Sequence, residues 1–352
     1  MSDEAPAPRR RRPRYAGTHP RRFEDKYKEH HPERYPEAVS KVLASGKTPA
    51  GMHVPIMVAE VLGALELRPG DTVVDCTLGY GGHARELLAR IQPGGRLLGL
   101  DVDPVELPRT EARLRGLGFG PDVAIIRRSN FAGLPAALAA ERLAGADGLL
   151  ADLGVSSMQL DTPDRGFSFK TPGPLDMRMN PNRGQPASVW LRTARPAEVA
   201  AILEDNADEP HAAALAAALA GRALERTSDL ADQVRAVLAG IEPRERELAV
   251  RRVFQALRIA VNEEFTALDT LLRQLPSCLA PGGRAAFITF HSGEDRRVKK
   301  AFQAGLRGGV FEAVSDDPIR PAPEERRANP RAGAAKLRWA RRTRDVAGAR
   351  PT

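Results

Sequence analysis

Four short apolar runs punctuate the first half of the chain: Thr72 to Val74, "RLLGL" from Arg96, Val123 to Ile126, and Gly148 to Ala151. Three of them close on an acid, at Asp75, Asp101 and Asp152. Runs of this length, β-branched or leucine-rich and bounded by turn residues, predict strands buried on both faces. Between them the period changes to that of helices. In "HVPIMVAEVLGALEL" Val58, Val61, Leu62 and Leu65 fall on one face, with Pro55 where a helix start tolerates it, so order is expected from about His53. A turn at Pro69-Gly70 follows; a second helix is predicted from about Ala84 to Ile91, ended by Pro93-Gly94-Gly95. Strands alternating with helices predict a doubly wound α/β fold.

After Asp152 this rhythm stops. A Gly- and Pro-rich entry, "DTPDRGFSFKTPGPLDMRMNPNRG", leads into Ala- and Leu-rich stretches of helical period, among them "SDLADQVRAVL", where Ser228 is the expected N-cap. The α/β pattern then resumes with one long helix over "VFQALRIAVNEEFTALDTLLRQL", a turn at Pro281-Gly282-Gly283, and a strand "RAAFITF" running into "HSGEDRRVKKAF". Four parts are expected: an arm over 1–50, a Rossmann-like domain from 51–160 and 250–318, an inserted helical domain over 161–249, and a tail over 319–352.

Charge refines this division. The first fifty residues carry 12 Lys or Arg against 7 Asp or Glu, and residues 319–352 carry 10 against 3, although the whole chain is only +8. Two basic arms on a mildly acidic body suit a polyanionic partner, and solvated tails are the alternative. Tyr15, Phe23, Tyr27 and Tyr35 among those first charges add surfaces on which unpaired bases can stack. Two cysteines, Cys76 and Cys278, neither in a CxxC pair, suggest neither a disulfide framework nor a zinc site; with no secretory leader and no long apolar run, a cytoplasmic location without membrane insertion is expected.

The stretch "DCTLGYGGH" follows the first strand, where a doubly wound sheet places its ligand. Gly79, Gly81 and Gly82 allow a sharp bend and a ligand against bare backbone, and Asp101, ending the second strand, stands where an acid accepts bonds from ribose hydroxyls. The spacing is GxGG rather than GxGxxG, and Asp75 would repel a pyrophosphate but attract an ammonium group. S-adenosylmethionine therefore fits better than a nicotinamide dinucleotide.

Seven motifs, "DCTLGYGGH", "LLADLGVSSMQLD", "RGFSF", "GPLDMRMNP", "FQALRIAVNEE", "APGGR" with "FHSGEDRRVK", and "NPRAGAAKLR", occur in an order and spacing that resembles the bacterial small-subunit ribosomal RNA methyltransferase H (MraW-like) family, which methylates the exocyclic N4 of a 16S cytosine near the decoding site. The resemblance runs from about His53 to Thr343. It implies a class I S-adenosylmethionine-dependent methyltransferase fold with a helical insertion and a 16S rRNA or 30S partner. It also implies donor contacts at Gly79, Gly81, Gly82, His83, Asp101, Phe131, Asp152 and Gln159. Asp152, Ser156 and His291 are the catalytic candidates. Arg165, Phe167, Phe169, Arg178 and Ser292 are the substrate candidates, with Arg165 and Arg178 on phosphates and the phenylalanines stacking; Ser292 is equally read as a helix N-cap with Asp295. No metal is required, since the leaving sulfonium becomes neutral.

The chain departs from the family pattern at substrate-facing places. "DEPHAAALAAALAGR" replaces a basic helical run, "RELAVRR" replaces the usual motif before "FQA", Gly293 stands for leucine, Pro108 interrupts a helix, and the N-terminal arm is an addition. A divergent paralogue acting on another RNA or a small molecule, and a non-catalytic ribosome assembly factor, are the alternatives left open; a dinucleotide oxidoreductase is a more distant one. The oligomeric state, monomer or homodimer, is not legible.

Overall fold

The computed structural model of the chain describes residues 55–344; the N-terminal arm with its four aromatic residues, His53, and residues 345–352 lie outside the described residues. The first four predicted strands form within two residues of their expected ends: β1 (Thr72–Asp75), β2 (Arg96–Asp101), β3 (Ala124–Arg128) and β4 (Ala146–Asp152). With β5 (Leu279–Thr289), β6 (Phe311–Val314) and β7 (Lys336–Arg342) they make one sheet of order β3-β2-β1-β4-β5-β7-β6. The first five strands are parallel.

Alternate residues of each strand enter different cores, because successive side chains point to opposite faces. Val73, Leu97 and Leu150 pack with the helices Val58–Leu65, Gly82–Ile91 and Glu106–Gly116. Val74, Leu98, Leu149 and Ala151 pack with Leu134–Ala140, Glu264–Cys278 and Ser292–Arg307. Both cysteines are free and buried. This is the expected doubly wound, Rossmann-like architecture. Strand order runs one way from β1 to β2 and β3 and the other way from β4 to β5, so the crevice at the carboxyl ends of β1 and β4 is the switch point.

A third core holds the insertion. Val199, Leu203, Leu215, Leu230 and Val234 meet Val250, Val253 and Leu257 of the helix Pro243–Val261, together with Phe167, Leu175 and Met177 from the irregular entry. That helix spans the boundary expected at 249/250. Three local expectations are corrected. Ser228 is not a cap: the helix Thr227–Val237 begins one residue earlier, and Asp229 accepts the Arg226 N–H at 3.0 Å. The long helix is two, parted at Asn262 and Glu263, the latter at φ 52°. Asn262 is diverted there: its Oδ1 accepts the Met179 N–H at 2.7 Å and its Nδ2 donates to the Met177 carbonyl at 2.8 Å. Pro281-Gly282-Gly283 is no hairpin-like stop but an irregularity inside β5, taken up where pairing jumps from Ala146↔Leu279 to Gly148↔Arg284.

Part of the tail is also corrected: Lys336–Arg342 is not a solvated arm but the strand β7, antiparallel between β5 and β6 and covering what would otherwise be an open sheet edge, while Arg320, Arg326, Arg327 and Arg331 are exposed. Leu337 and Ala340 are buried, and so is Arg338, whose Nε donates to Asp295 Oδ1 at 2.7 Å while Lys336 Nζ reaches Oδ2 at 2.9 Å. Burial alone would raise the Asp295 pKa, but these two cations hold it below the usual aspartate value. A depressed folded pKa stabilises above the unfolded value near 4 and is lost as pH falls through the folded one. Asp295→Asn is accordingly expected to cost about 2 kcal/mol in urea unfolding at pH 7 and to cost less at pH 3.

Candidate active site

The glycine loop is tied to three strands. Gly79 and Gly81 have φ of 46° and 82°, and Gly81 caps the helix Gly82–Ile91 in a left-handed conformation that side chains avoid. A Cβ on Gly81 would stand 2.9 Å from Thr110 Cγ2, and one on Gly82 would stand 3.0 Å from the Pro55 ring. Thr110 donates to the Gly79 carbonyl, and Arg113 lies over the Tyr80 ring at 3.7 Å. The bare backbone is therefore fixed before any ligand arrives.

Asp101 does more than end β2. Its Oδ2 accepts the Gly79 N–H at 2.7 Å and its Oδ1 accepts the Asp103 N–H at 2.9 Å, so it sets the loop's shape; burial raises its pKa and these amides oppose the rise. Asp103, 1% exposed, was missed by sequence reasoning, although a second acid two residues after the first was a visible signal. Its Oδ2 accepts Gln159 Nε2 at 3.0 Å and Arg165 Nη1 at 2.7 Å. Gln159 is aimed by a reciprocal cap: Ser156 Oγ accepts the Gln159 N–H at 3.2 Å, and Gln159 Oε1 accepts the Ser156 N–H at 3.0 Å. Ser156 thus closes the helix Ser157–Asp161.

Among the described residues three buried carboxylate oxygens lack partners: Glu106 Oε2, and, at the ends of β1 and β4, Asp75 Oδ2 and Asp152 Oδ1. Burial lifts the Asp75 pKa to about 6, and burial plus the charge of Glu294 lifts that of Asp152 to about 7. His83 stands between them in sequence and in space. Its Nε2 lies 2.9 Å from the Ile56 carbonyl, which requires the proton on that nitrogen, and its Nδ1 is 3.7 Å from Asp152 Oδ2; burial lowers its pKa, so the ring is a neutral wall at pH 7. Glu294, 3% exposed and also missed, accepts the Phe290 N–H at 2.8 Å. Burial opposes its ionisation, but the His291 ring, 3.1 Å away, and Arg258 hold its pKa below the usual value. Among the described residues neither His291 nitrogen has an aligned hydrogen-bond partner.

On the acceptor side the structure redistributes the expected roles. Arg165 also donates Nη2 to the carbonyls of Arg178 and Met179, at 3.0 and 2.8 Å, and Arg178 is clamped by both oxygens of Asp176 at 2.8 and 2.7 Å. Both guanidinium groups are committed within the chain. Phe167 is buried in the third core and Phe169 packs edge to face on Phe254. Phe131 sits in the single turn Phe131–Gly133, half-buried against the second core. Ser292 is exposed and makes no cap; its Oγ donates to Asp208 Oδ2 at 3.0 Å. Among the described residues no group of three or more His, Cys, Asp or Glu is placed to hold a metal.

The description "MraW methylase family" matches residues 50–343 of this chain. The chain belongs to that family. It is 48% identical over 340 residues to Ribosomal RNA small subunit methyltransferase H 1 of Lachnoclostridium phytofermentans, covering 94% of this chain and 92% of that protein. It is 47% identical to Ribosomal RNA small subunit methyltransferase H 2 of Alkaliphilus metalliredigens, over 94% and 97%, and 40% identical to Ribosomal RNA small subunit methyltransferase H of Heliobacterium modesticaldum, over 83% and 99%. An alignment over 94% of 352 residues must run into the first fifty positions, so the N-terminal arm is shared in part with the first two relatives and is not this chain's own addition.

Family membership makes this an S-adenosylmethionine-dependent methylase, and the crevice fits that donor: a loop of bare glycine backbone held in left-handed turns, beside two orphaned carboxylate oxygens able to face its cationic groups. Two departures from the family pattern find reasons. Pro108 is the third residue of the helix Glu106–Gly116, where a missing amide costs nothing, and a Cβ on Gly293 would stand 2.6 Å from Phe265, whose ring carries Arg297 at 3.6 Å. The raised pKa values carry a sign. Asp75 and Asp152 hold more protons folded than unfolded between pH 4 and 7, so their contribution to stability falls as pH rises through about 6 and about 7. A cationic donor reverses this by favouring the ionised forms. Donor affinity is expected to strengthen about tenfold from pH 6 to pH 8, with protons released on binding near pH 6.5, read by calorimetry in buffers of different ionisation enthalpy.

Proposed function

We propose that this chain transfers a methyl group from S-adenosylmethionine to the exocyclic N4 of a cytosine of 16S ribosomal RNA near the decoding site, acting on the RNA or the 30S particle in the cytoplasm. The observation that carries the reading is the pair of unpartnered carboxylate oxygens, Asp75 Oδ2 and Asp152 Oδ1, at the switch point beside the glycine cradle. The names of the relatives support the RNA substrate, and no helix among the described residues is long and apolar enough to cross a membrane.

The donor supplies an electrophilic methyl group on a sulfonium. The chain's part is to hold, orient and take a proton. Gly79, Gly81, Gly82 and the neutral His83 ring form the cradle, with Asp101, Gln159 and Phe131 around the nucleoside. Asp75 faces the amino-acid cation. The amine of cytosine is a weak nucleophile whose lone pair is spread into the ring, so acceptors for its hydrogens raise its electron density. Asp152 Oδ1 is the proton acceptor, and the donor's positive charge beside it favours the ionised form that can take a proton. Glu294 stands behind it and pairs with His291 at the rim. A base stacked or paired in RNA must be turned out to reach this crevice.

The test is transfer of labelled methyl to 30S particles and to free rRNA, followed by mapping of the modified base. A modified cytosine N4 that disappears with Asp152→Ala is the expected result. Donor binding without any transfer to either RNA would instead point to an assembly factor.

A further inference from the structure

Beside the segment that follows β4 lies an open groove of about 170 Å³. Its lining is carbon over most of its extent: Phe167, Phe169 and Phe254 with Val155 and Leu160. The Phe169 and Phe254 rings meet edge to face with centroids 5.1 Å apart; Phe167 and Phe254 are buried, so Phe169 is the ring within reach, with the Arg235 guanidinium 6.0 Å from its centroid. Two polar groups in the lining are not used up by the fold. Arg251 is exposed and makes no hydrogen bond or close ion pair among the described residues; its charge acts at longer range on Glu247, one turn away, whose oxygens are bound by Arg235 at 2.7 and 3.0 Å. Gln255 donates Nε2 to the Asn206 carbonyl at 2.9 Å, and its Oε1 has no donor among the described residues. Arg258 is bound by both oxygens of Glu264 at 2.8 Å.

An accessible aromatic ring with an exposed guanidinium and an amide oxygen beside it matches a single nucleotide: base on Phe169, phosphate on Arg251, a base N–H on Gln255. It does not match the base that is methylated. Positive charge builds on that amine during transfer, and this groove offers it two guanidinium groups and no carboxylate, whereas the crevice holds unpartnered carboxylate oxygens on Asp75 and Asp152. The geometry points to a seat for a nucleotide flanking the target, which holds the strand while the target base enters the crevice. Sequence reasoning placed phosphates on Arg165 and Arg178; with both committed internally, Arg251 takes that role.

This seat rests on the proposed RNA substrate, so its test is a binding measurement separate from methylation. Short single-stranded RNAs spanning a cytosine of the 16S decoding region, intact or with an abasic site at each flanking position in turn, are titrated by fluorescence anisotropy against the full chain and its Phe169→Ala and Arg251→Ala variants. One abasic position is expected to weaken binding to the unaltered chain about tenfold. Phe169→Ala should lose a similar factor with intact RNA and almost nothing more with that abasic RNA. Arg251→Ala should weaken both RNAs alike and reduce the salt slope by about one. Calorimetry with the donor confirms that the variants are folded; if Phe169→Ala is not, Phe169→Leu keeps the packing on Phe254, removes the ring face and reads the same cycle. Equal abasic losses in the unaltered and Phe169 variant chains, or no loss at any flanking position, overturn the seat. The expected binding cycle without any methyl transfer would overturn the activity and leave the seat in place.

Discussion

Asp101→Ala is expected to weaken donor binding about 100-fold. The carboxylate has two tasks that converge on one ligand: in the proposed reading it takes ribose hydroxyls, and it already accepts the Gly79 and Asp103 amides at 2.7 and 2.9 Å. Hydrogen bonds to a charged group contribute about 1.5–3 kcal/mol each, and about 1.4 kcal/mol is a factor of ten, so losing even two of them reaches that figure. Asp101→Asn keeps the shape and one acceptor and should lose roughly tenfold. Calorimetric titration decides it. A variant that binds within threefold of the parent would mean that the crevice holds its donor without this acid.

Arg165→Met is expected to cost about 3 kcal/mol of folding stability, a loss far above that of an ordinary surface substitution. Its partner Asp103 has a side chain only 2% exposed, and Arg165 itself is 14% exposed, so the pair is screened little by water. The substitution leaves that carboxylate without its cation and the carbonyls of Arg178 and Met179 without a donor. Arg165→Lys should recover part of the loss, since one ammonium can face Asp103 but cannot span the carbonyls as a guanidinium does. Urea unfolding monitors both. A loss below about 1 kcal/mol for the methionine variant would place Arg165 on the surface in effect, and return it to the list of phosphate ligands.

The contrast between these two residues shows how far the chain could be read in advance. Asp101 was legible because its meaning is local: a strand of known period, a turn, and an acid about twenty residues beyond a glycine loop. Arg165 was assigned to phosphate because it is a cation in a polar segment, and nothing adjacent reveals that an aspartate 62 positions earlier is waiting for it. The same holds for Arg178 and for Ser292, whose exposed hydroxyl reaches Asp208 across 84 positions rather than capping its own helix. Conversely, Ser156 was credited with chemistry when the Ser-x-x-Gln spacing already described a cap.

By itself the sequence determined the alternation of strands and helices, the two-sided burial of the sheet, the glycine cradle with Asp75 and Asp101, and the family. All but the family follow from periodicity and turn chemistry acting over a few residues, where backbone geometry leaves few options; the family follows from the resemblance of whole motifs. Only the tertiary structure decided that the basic tail is a sheet strand, that Asn262 breaks a helix to hold Met177 and Met179, and which charges are spent and which are free. Charge pairing is long-range and depends on burial, so a guanidinium beside a buried carboxylate is scaffold while an identical one left on the surface is available to a ligand, and no local pattern tells the two apart.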